Sequence, residues 1–554
     1  MTLSAVPGTG IAIIRKAITI KEWAEVRAED KNNSQNAQAA IERLLHYALE
    51  QGLIDWWDMD YTRNRLLELF SFDETFAGEL PEEVLSSPQQ PLEVLIDYGY
   101  EIGLIPENTV TYRDLLDARI MGLLMPRPSE TIAAFHKTEA ERGIQAATDE
   151  FYKLSVMSNY IRMDRVAQNI YWDQPTAYGP MEITINLSKP EKNPKEIAMA
   201  RLLPPPVYPK CQLCRENVGY AGRINHPARQ NLRVIPLELS GEPWFFQYSP
   251  YVYYNEHCIV FHRDHVPMKL TKDTFKRLLA FTAQFPHYFI GSNADLPIVG
   301  GSILTHDHFQ GGRHTFPLEK APQVAKFRHP SYAGVTAGIV HWPMTVLRLS
   351  GQDPDILLEA ANDVYEQWKS YSDPAAEVLA YTVAGGEKVP HNTVTPIVRR
   401  GADGSFEMDV VLRNNRTSEQ HPEGIFHPHR EMHHIKKENI GLIEVMGLAI
   451  LPGRLKEELG EIADILSGDT VLYDEVTSNP ESKLAVHATW VKQLVDAHGM
   501  AMAKEEAEAL LRDEVGRKFA EILGHAGVFK ATEQGREAFR RFVTSAGYEP
   551  LSES

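Results

Sequence analysis

The pattern of apolar and polar positions along the chain predicts helices first and strands later. In the first stretch, apolar residues recur at the three- and four-residue spacing of one helical face: Ile41, Leu44, Leu45, Ala48 and Leu49. Gly52 follows as a helix stop. We therefore predict a helical N-terminal region over residues 1–150, with a scaffold or oligomer-interface role.

The period changes near residue 180, where Met181, Ile183 and Ile185 alternate with polar neighbours as in a half-buried strand. Short strand-like pieces punctuated by glycine and proline follow up to residue 312. This pattern predicts a mixed domain over residues 151–335.

A further mixed domain is predicted over residues 336–554, with a strand at residues 410–412 and helices at its end. The stripe that starts at Leu455 and ends before Gly468 is one such helix, and the segment after Lys504 is predicted to be a charged, solvated one. The predicted fold class is α+β, consistent with a chain of 554 residues that exceeds one ordinary core.

Composition excludes several classes of function. A chain that is 43% apolar and 24% charged is an ordinary folded protein. Its formal net charge of −19 argues against nucleic acid or an anionic membrane as a partner, because those need a basic face. A phosphorylated substrate would need only a local basic pocket.

The cysteine content and the N-terminus predict a cytoplasmic protein. There are three cysteines, Cys211, Cys214 and Cys258, an odd and sparse set that suits a reducing compartment. The apolar cluster at residues 11–14 is too short for a signal peptide, and no run approaches a membrane-spanning length.

Residues 300–312 carry the most informative pattern in the chain. If the segment from His306 is extended, then His306, His308 and Gln310 project from one face. The flanking glycines and Ser302 suit backbone amides that approach a phosphate closely. A histidine pair alternating on a strand is also common at surfaces, and glycine-rich loops occur without phosphates.

Cys211 and Cys214 have the spacing of a zinc knuckle, and His265 follows downstream. Thiolates and imidazoles together would complete a tetrahedral zinc site. The same two cysteines also fit a redox pair or two unrelated buried side chains.

Three segments, at residues 248–258, 285–293 and 306–310, resemble the bacterial second class of galactose-1-phosphate uridylyltransferases, a family of the histidine-triad superfamily. The resemblance covers most of the chain and implies histidine-triad-like mixed domains. It implies that His308 attacks the α-phosphorus of UDP-glucose and that galactose 1-phosphate then takes the uridylyl group. Hydrolases of the superfamily carry a third histidine where this chain has Gln310, a neutral amide that favours transfer. Ser302 would help to stabilise phosphoryl charge.

The first class of the family binds a structural zinc ion, and the resemblance carries that role to four residues here: Cys211, Cys214, His265 and His306. The chain departs from the first class at Asp307 and Phe309, where that class has proline and glycine. A second metal, held in some first-class enzymes by C-terminal histidines and a glutamate, would involve residues 427–434 and Glu319. A solvent-facing or substrate-contacting histidine cluster fits residues 427–434 equally well.

Arg162 and Arg165 resemble an Arg-x-x-Arg pair that reaches nucleotide phosphates from a neighbouring subunit, which implies a homodimer. An exposed helical charge pair has the same spacing. Arg229, in a polar loop at residues 225–231, is predicted to lie near the uridine, and Asn293 to contact substrate.

Lys437 and Glu444 resemble the family's hexose-phosphate segment, where lysine meets the phosphate and glutamate the hydroxyls. A lysine and a glutamate on one solvated helix face would give the same pattern.

Two other functions share these features. A histidine-triad nucleotide hydrolase or phosphorylase would use the same nucleophile but pass the nucleotide to water or phosphate, and Gln310 disfavours hydrolysis. A non-catalytic, zinc-stabilised nucleotide-sugar-binding protein is disfavoured by the retention of His308 beside Gln310.

Overall fold

A computed structural model describes residues 20–188, 207–301 and 303–551, and within residues 20–31 only the backbone. Helices and strands are both abundant, which confirms the α+β class. Among the described residues, no helix combines the length and the apolar character needed to cross a membrane.

The helices are α1 (Ile20–Glu50), α2 (Met59–Phe70), α3 (Gln89–Glu101), α4 (Val110–Leu123), α5 (Pro128–Arg142), α6 (Ile144–Met157), α7 (Met163–Val166), α8 (Lys272–Gln284), α9 (Pro317–Lys320), α10 (Pro354–Ser370), α11 (Leu442–Val445), α12 (Leu455–Leu466), α13 (Thr470–Ser478), α14 (Ala488–His498), α15 (Lys504–Ala526) and α16 (Glu533–Ser545). Short 3-10 helices lie at Trp56–Asp58, Arg215–Asn217, Pro374–Ala376, Arg430–Met432 and Ala485–His487.

The strands are β1 (Ile170–Thr176), β2 (Gly179–Asn186), β3 (Ile235–Leu239), β4 (Glu242–Tyr248), β5 (Cys258–His262), β6 (Phe289–Gly291), β7 (His308–Gly312), β8 (Gln323–Arg328), β9 (Thr336–Val340), β10 (Val346–Gly351), β11 (Tyr381–Ala384), β12 (Glu387–Pro390), β13 (Asn392–Arg400), β14 (Phe406–Asn414), β15 (Leu448–Pro452) and β16 (Glu549–Pro550).

The chain forms two compact units, of which the first ends at Met125. This unit contains α1 to α4. The apolar face predicted for α1 is buried at Ile41, Leu44 and Leu45, because a stripe of that spacing lies along one side of a helix. Gly52, with φ +72°, follows the end of α1 in the left-handed region, as the predicted helix stop requires.

The second unit, Pro126–Ser554, contains an eleven-stranded sheet in the order β16-β8-β9-β10-β14-β13-β6-β7-β5-β4-β3. The pairing of β6 with β13 joins strands from both sides of position 335 into this one sheet. The predicted strand near residue 181 is β2, which pairs with β1 and β15 in a separate sheet of three strands. The predicted domain boundaries at residues 150 and 335 remain predictions.

Helices α8 and α10 bury apolar stripes in the core that includes the large sheet. In α10, Leu357, Val364 and Trp368 are fully buried at helical spacing. Asp353 begins this helix by accepting hydrogen bonds from the backbone N–H groups of Asp355 and Ile356.

The prediction that α15 is a solvated helix is wrong. Its buried residues recur at three- and four-residue spacing: Ala507, Leu511, Val515, Phe519, Ile522, Leu523 and Ala526. Charged residues between them face outward and obscure the stripe in the sequence, so α15 is an amphipathic helix that contributes to the core.

Asp409 lies at the centre of a buried ion network in the large sheet. Its carboxylate accepts from Arg348 at 2.7 and 3.1 Å and from Arg399 at 2.7 Å. Burial raises the pKa of Asp409, but the two guanidiniums outweigh that effect and lower it. Arg399 also lies 3.7 Å from Glu319, so this glutamate belongs to the ion network.

We expect Asp409→Asn to lower the free energy of unfolding by about 3–5 kcal/mol, because it leaves two buried guanidiniums without their shared carboxylate. Denaturant unfolding measures the change. Glu407→Gln is the matched control: Glu407 pairs with Arg399 at 2.8 Å but is partly exposed, so its loss should cost less. Equal losses from the two variants would contradict the central role of Asp409.

Candidate active site and metal centre

Strand β7 carries the central residues of the candidate site. It lies between β5 and β6, and side chains alternate along it, so His308 and Gln310 share one face. Phe309 points to the opposite face, where its ring stacks on Trp244 with centroids 4.8 Å apart. His306 was expected on the same extended segment, but it lies in a bend before the strand begins at His308.

The imidazole of His308 is held in one orientation. Its Nδ1 lies 2.8 Å from the backbone carbonyl oxygen of His306, and a carbonyl can only accept, so Nδ1–H donates. The lone pair of the ring therefore lies on Nε2, where it can form a bond to a substrate atom. Burial lowers the pKa of His308 to about 4, so the ring is neutral and nucleophilic near pH 7.

Gln310 is half-buried, and its side-chain amide contacts the ring of His257. Gln310 Oε1 lies 3.1 Å from His257 Nε2. His257 Nδ1 lies 2.9 Å from the carbonyl oxygen of Tyr251. The sequence gives no signal for a role of His257, because this residue contacts Gln310 across 53 residues of chain and no spacing rule connects them.

The glycine loop is shaped by contacts within the protein. A Cβ at Gly300 would lie 2.7 Å from two backbone oxygens, those of Ala294 and Leu296, and a Cβ at Gly301 would lie 2.7 Å from the amide nitrogen of Asn293. Gly300 is therefore needed for the loop to fold closely on itself, and a side chain at Gly301 would displace the Asn293 amide. Ser302, predicted to stabilise phosphoryl charge, lies outside the described residues.

Asn293 connects this loop to the C-terminal part of the site. It is buried, and its Oδ1 accepts a hydrogen bond of 2.9 Å from the backbone N–H of Leu442. Leu442 fills the space left by the missing side chain of Gly291, which pairs directly with Gln310 across β6 and β7. The segment around Leu442 thus lies on the same face of the sheet as Gln310.

Glu444 is buried beside a lysine, but the lysine is Lys436. Glu444 Oε1 lies 2.7 Å from Lys436 Nζ, and Glu444 Oε2 accepts from the backbone N–H of Gly441 at 3.2 Å. Lys437 is exposed. The sequence could not show which of these two adjacent lysines contacts Glu444. In an irregular segment, the direction of each side chain depends on the local backbone turn, which no periodicity predicts.

The four residues predicted as metal ligands lie together, with one donor atom from each within 4.8 Å of all the others: Cys211, Cys214, His265 and His306. The two thiols are 3.6 Å apart, and the thiols of Cys211 and Cys214 lie 3.2 and 3.7 Å from His306 Nδ1. A third contact of 3.3 Å joins Cys214 to His265 Nδ1. Tetrahedral zinc with ordinary bond lengths requires donor separations of about 3.3–3.8 Å, so the donor set fits zinc.

Hydrogen bonds outside this cluster orient its ligands. His306 Nε2 donates to the carbonyl oxygen of His262 at 2.8 Å, which leaves the Nδ1 lone pair facing the thiols. Asn217 donates to the carbonyl oxygens of Cys211 and Cys214 at 2.8 and 2.7 Å. Asn217 was not among the predicted residues, although its position three residues after Cys214 is a local signal.

Arg229 lies with its guanidinium over the ring of Tyr160, 5.6 Å from the centroid. Asn231 donates to the carbonyl oxygen of Ser158 at 3.0 Å, which holds the loop at residues 225–231 against the segment before α7. Arg162 immediately precedes α7 and Arg165 lies within it, and both are partly exposed. The two predicted arginine elements are therefore neighbours in the fold.

The histidines at residues 427–434 do not converge on one point. The ring of His429 stacks between His421 and His525, with both centroids 4.1 Å away. His434 Nδ1 lies 2.8 Å from His487, and His427 Nε2 lies 3.3 Å from Asn439. Donor atoms of His429, Glu431 and His525 come within 4.8 Å of one another, but parallel rings cannot direct their in-plane lone pairs at one ion.

The sequence matches two family models that together cover most of the chain. Residues 52–267 match the model described as galactose-1-phosphate uridyl transferase, N-terminal domain, and residues 281–479 match its C-terminal domain. Proteins named galactose-1-phosphate uridylyltransferase are similar over nearly their whole length. The one from Caldanaerobacter subterraneus subsp. tengcongensis is 58% identical over 92% of this chain and 98% of its own. The one from Bacillus subtilis is 52% identical over the same shares.

Among solved structures, yeast Ap4A phosphorylase is similar at 13% identity and a TM-score of 0.28, over 54% of this chain and 87% of the yeast protein. An overlap of this size supports no inference about the chain.

Proposed function

The chain belongs to the galactose-1-phosphate uridylyltransferase family, and from this premise we propose that it moves the uridylyl group of UDP-glucose to galactose 1-phosphate through His308. Membership makes it a nucleotidyltransferase of galactose metabolism. The substrates, the covalent intermediate and a cytoplasmic homodimer are parts of the proposal.

The orientation of the His308 imidazole is the observation that best supports this mechanism. A neutral imidazole whose Nδ1 proton is held by the His306 carbonyl has its lone pair on Nε2, so it can attack phosphorus without a separate base. The same carbonyl stabilises the positive charge that develops on the ring when Nε2 forms its new bond. Gln310, two residues further along the face, donates to a phosphoryl oxygen.

The reaction proceeds as two displacements. In the first, Nε2 of His308 forms a bond to the α-phosphorus of UDP-glucose, and the electron pair of the α–β phosphoanhydride bond leaves with glucose 1-phosphate. In the second, a phosphate oxygen of galactose 1-phosphate attacks the same phosphorus. The phosphorus–nitrogen bond breaks, UDP-galactose forms, and His308 is regenerated.

The Cys211, Cys214, His265 and His306 cluster would hold zinc as a structural ion, which crosslinks the knuckle to the residues before β7. His306 then links this cluster to the nucleophile through its own carbonyl. In this proposal Asn293, Lys437 and Glu444 belong to the hexose-phosphate side of the site, and Arg229 to the uridine side.

Incubation with UDP-glucose labelled in the uridylyl phosphate tests the proposal. Label should remain on the protein after denaturation and leave on addition of galactose 1-phosphate. Release of labelled UMP in water would instead favour a histidine-triad hydrolase, and release only with inorganic phosphate a phosphorylase. Binding of UDP-glucose without any bond cleavage would favour a non-catalytic binding protein.

Arg162→Ala and Arg165→Ala should each weaken UDP-glucose binding, because a charge-assisted hydrogen bond to phosphate is worth about 1.5–3 kcal/mol. Isothermal titration measures the loss. If the pair acts across a homodimer, mixing either variant with a His308 variant should restore part of the activity through hybrid dimers. Wild-type affinity in both variants would identify the pair as a surface feature.

A further inference from the structure

The two ring nitrogens of buried His257 face partners of different kinds. The imidazole is 3% exposed and packs against the rings of Tyr253 and Tyr254, with centroids 5.4 and 4.6 Å away. One nitrogen faces a backbone carbonyl and the other faces the Gln310 amide. The backbone carbonyl can only accept a hydrogen bond. The Gln310 side-chain amide can present either its oxygen or an N–H, depending on which way it is turned.

This asymmetry fixes the tautomer of His257. Because the Tyr251 oxygen only accepts, the ring proton belongs on Nδ1. Burial lowers the pKa of His257 to about 4, so near pH 7 the ring carries one proton and Nε2 has a lone pair. In the orientation described above, the Gln310 oxygen faces that lone pair at 3.1 Å and would be repelled by it, so the amide must be turned over, which brings an N–H to face Nε2.

We propose that His257 is a positioning residue that sets the orientation of the Gln310 amide, by accepting one of its two N–H bonds at Nε2. The second N–H and the carbonyl oxygen of Gln310 then occupy fixed places at the half-buried face that Gln310 shares with His308. Without His257 the amide can turn over, and its donor and acceptor exchange places in the two orientations.

This inference rests on the proposed function, in which the free N–H of Gln310 donates to a phosphoryl oxygen of the transferring group. When the amide is already held in the donating orientation, no free energy is needed to orient it as negative charge develops on the phosphoryl oxygens in the transition state. The role of His257 is therefore exerted entirely through Gln310, which distinguishes it from a histidine that only fills the core.

His257→Asn isolates this role. The asparagine amide can still donate to the Tyr251 carbonyl from near the position of Nδ1, but it lacks an acceptor at the position of Nε2. We expect kcat to fall about tenfold, the effect of one ordinary hydrogen bond, with little change in the KM for UDP-glucose. In a Gln310→Ala background, the same substitution should change kcat hardly at all.

His287→Asn is the matched control, because His287 is a partly buried histidine of the same unit that bonds to Thr148 at 2.9 Å and not to Gln310. Any effect of that substitution should add fully to that of Gln310→Ala. Full additivity for His257→Asn as well would overturn the inference while leaving UDP-glucose transfer intact. Loss of the proposed function would instead appear as wild-type protein that transfers no uridylyl group.

Neutron diffraction on wild-type crystals exchanged into D2O gives a second measurement that needs no variant. We expect deuterium on His257 Nδ1, none on Nε2, and a deuterated Gln310 nitrogen facing Nε2. A deuteron on Nε2 pointing at the Gln310 oxygen would overturn the inference whatever the kinetics show.

Discussion

His308→Gly should abolish transfer between the natural sugar phosphates, with a fall in kcat on the order of 10⁴-fold or more. Removing the imidazole deletes the atom that forms the covalent bond, and Gln310, which shares that face of β7, is a neutral amide that cannot replace it. Coupled detection of glucose 1-phosphate release measures the rate, and equilibrium binding of UDP-glucose should change little. His287→Gly removes a comparable imidazole outside the site and should retain transfer.

The same variant creates a cavity the size of an imidazole next to an otherwise intact site. Free imidazole should enter it, attack UDP-glucose and release uridylyl-imidazole, because the protein still orients the phosphoryl group and stabilises its charge. Chromatographic detection of this product, dependent on imidazole concentration, would show that position 308 supplies the nucleophile. Equal formation of uridylyl-imidazole by the control variant His287→Gly, which keeps His308, would contradict that interpretation.

Kinetics of the wild type provide an independent test of the covalent step. Glucose 1-phosphate must leave before galactose 1-phosphate reacts, so double-reciprocal plots should give parallel lines. Intersecting lines, together with no label trapped on His308 after rapid quenching, would mean direct transfer between the two substrates. That outcome would overturn the mechanism and leave the choice of substrates standing.

Local patterns predicted those parts of the fold and site that depend on neighbouring residues. The period-two alternation before residue 187 predicted β2, and the helical stripe at residues 41–49 predicted part of α1. The Cys211–Cys214 spacing likewise indicated a knuckle, because two ligands on one tight turn are set by the turn itself.

Contacts between distant segments could not be derived from spacing. Cys211 and His306 are 95 residues apart, and only the resemblance to a known family brought them into one predicted cluster. The contact of His257 with Gln310 depends on the register of β5 against β7, which the sequence of either strand leaves open. The burial of Lys436 rather than Lys437 is equally a product of tertiary packing.

We expect the second large effect from Cys211→Ser, which removes one of the four donors proposed to hold zinc. A hydroxyl is a poor zinc ligand, and the remaining three donors would hold the ion much more weakly. Purified wild type should contain about one zinc ion per chain, and the variant almost none. Structural zinc binds zinc-finger peptides with about 10–16 kcal/mol, so loss of the ion should lower the free energy of unfolding by several kcal/mol.

Cys258→Ser separates this effect from the general cost of placing a hydroxyl at a buried cysteine. Cys258 is fully buried on β5 but is not a member of the cluster, so its variant should keep its zinc although it loses some stability. A chelator should then destabilise wild type and Cys258→Ser alike and leave Cys211→Ser unaffected, since that variant has no ion to lose. Metal-free wild type that stays fully folded and active would refute a structural zinc ion. The nucleophilic role of His308 would survive that result, because His306 would still accept the Nδ1 proton through its backbone carbonyl.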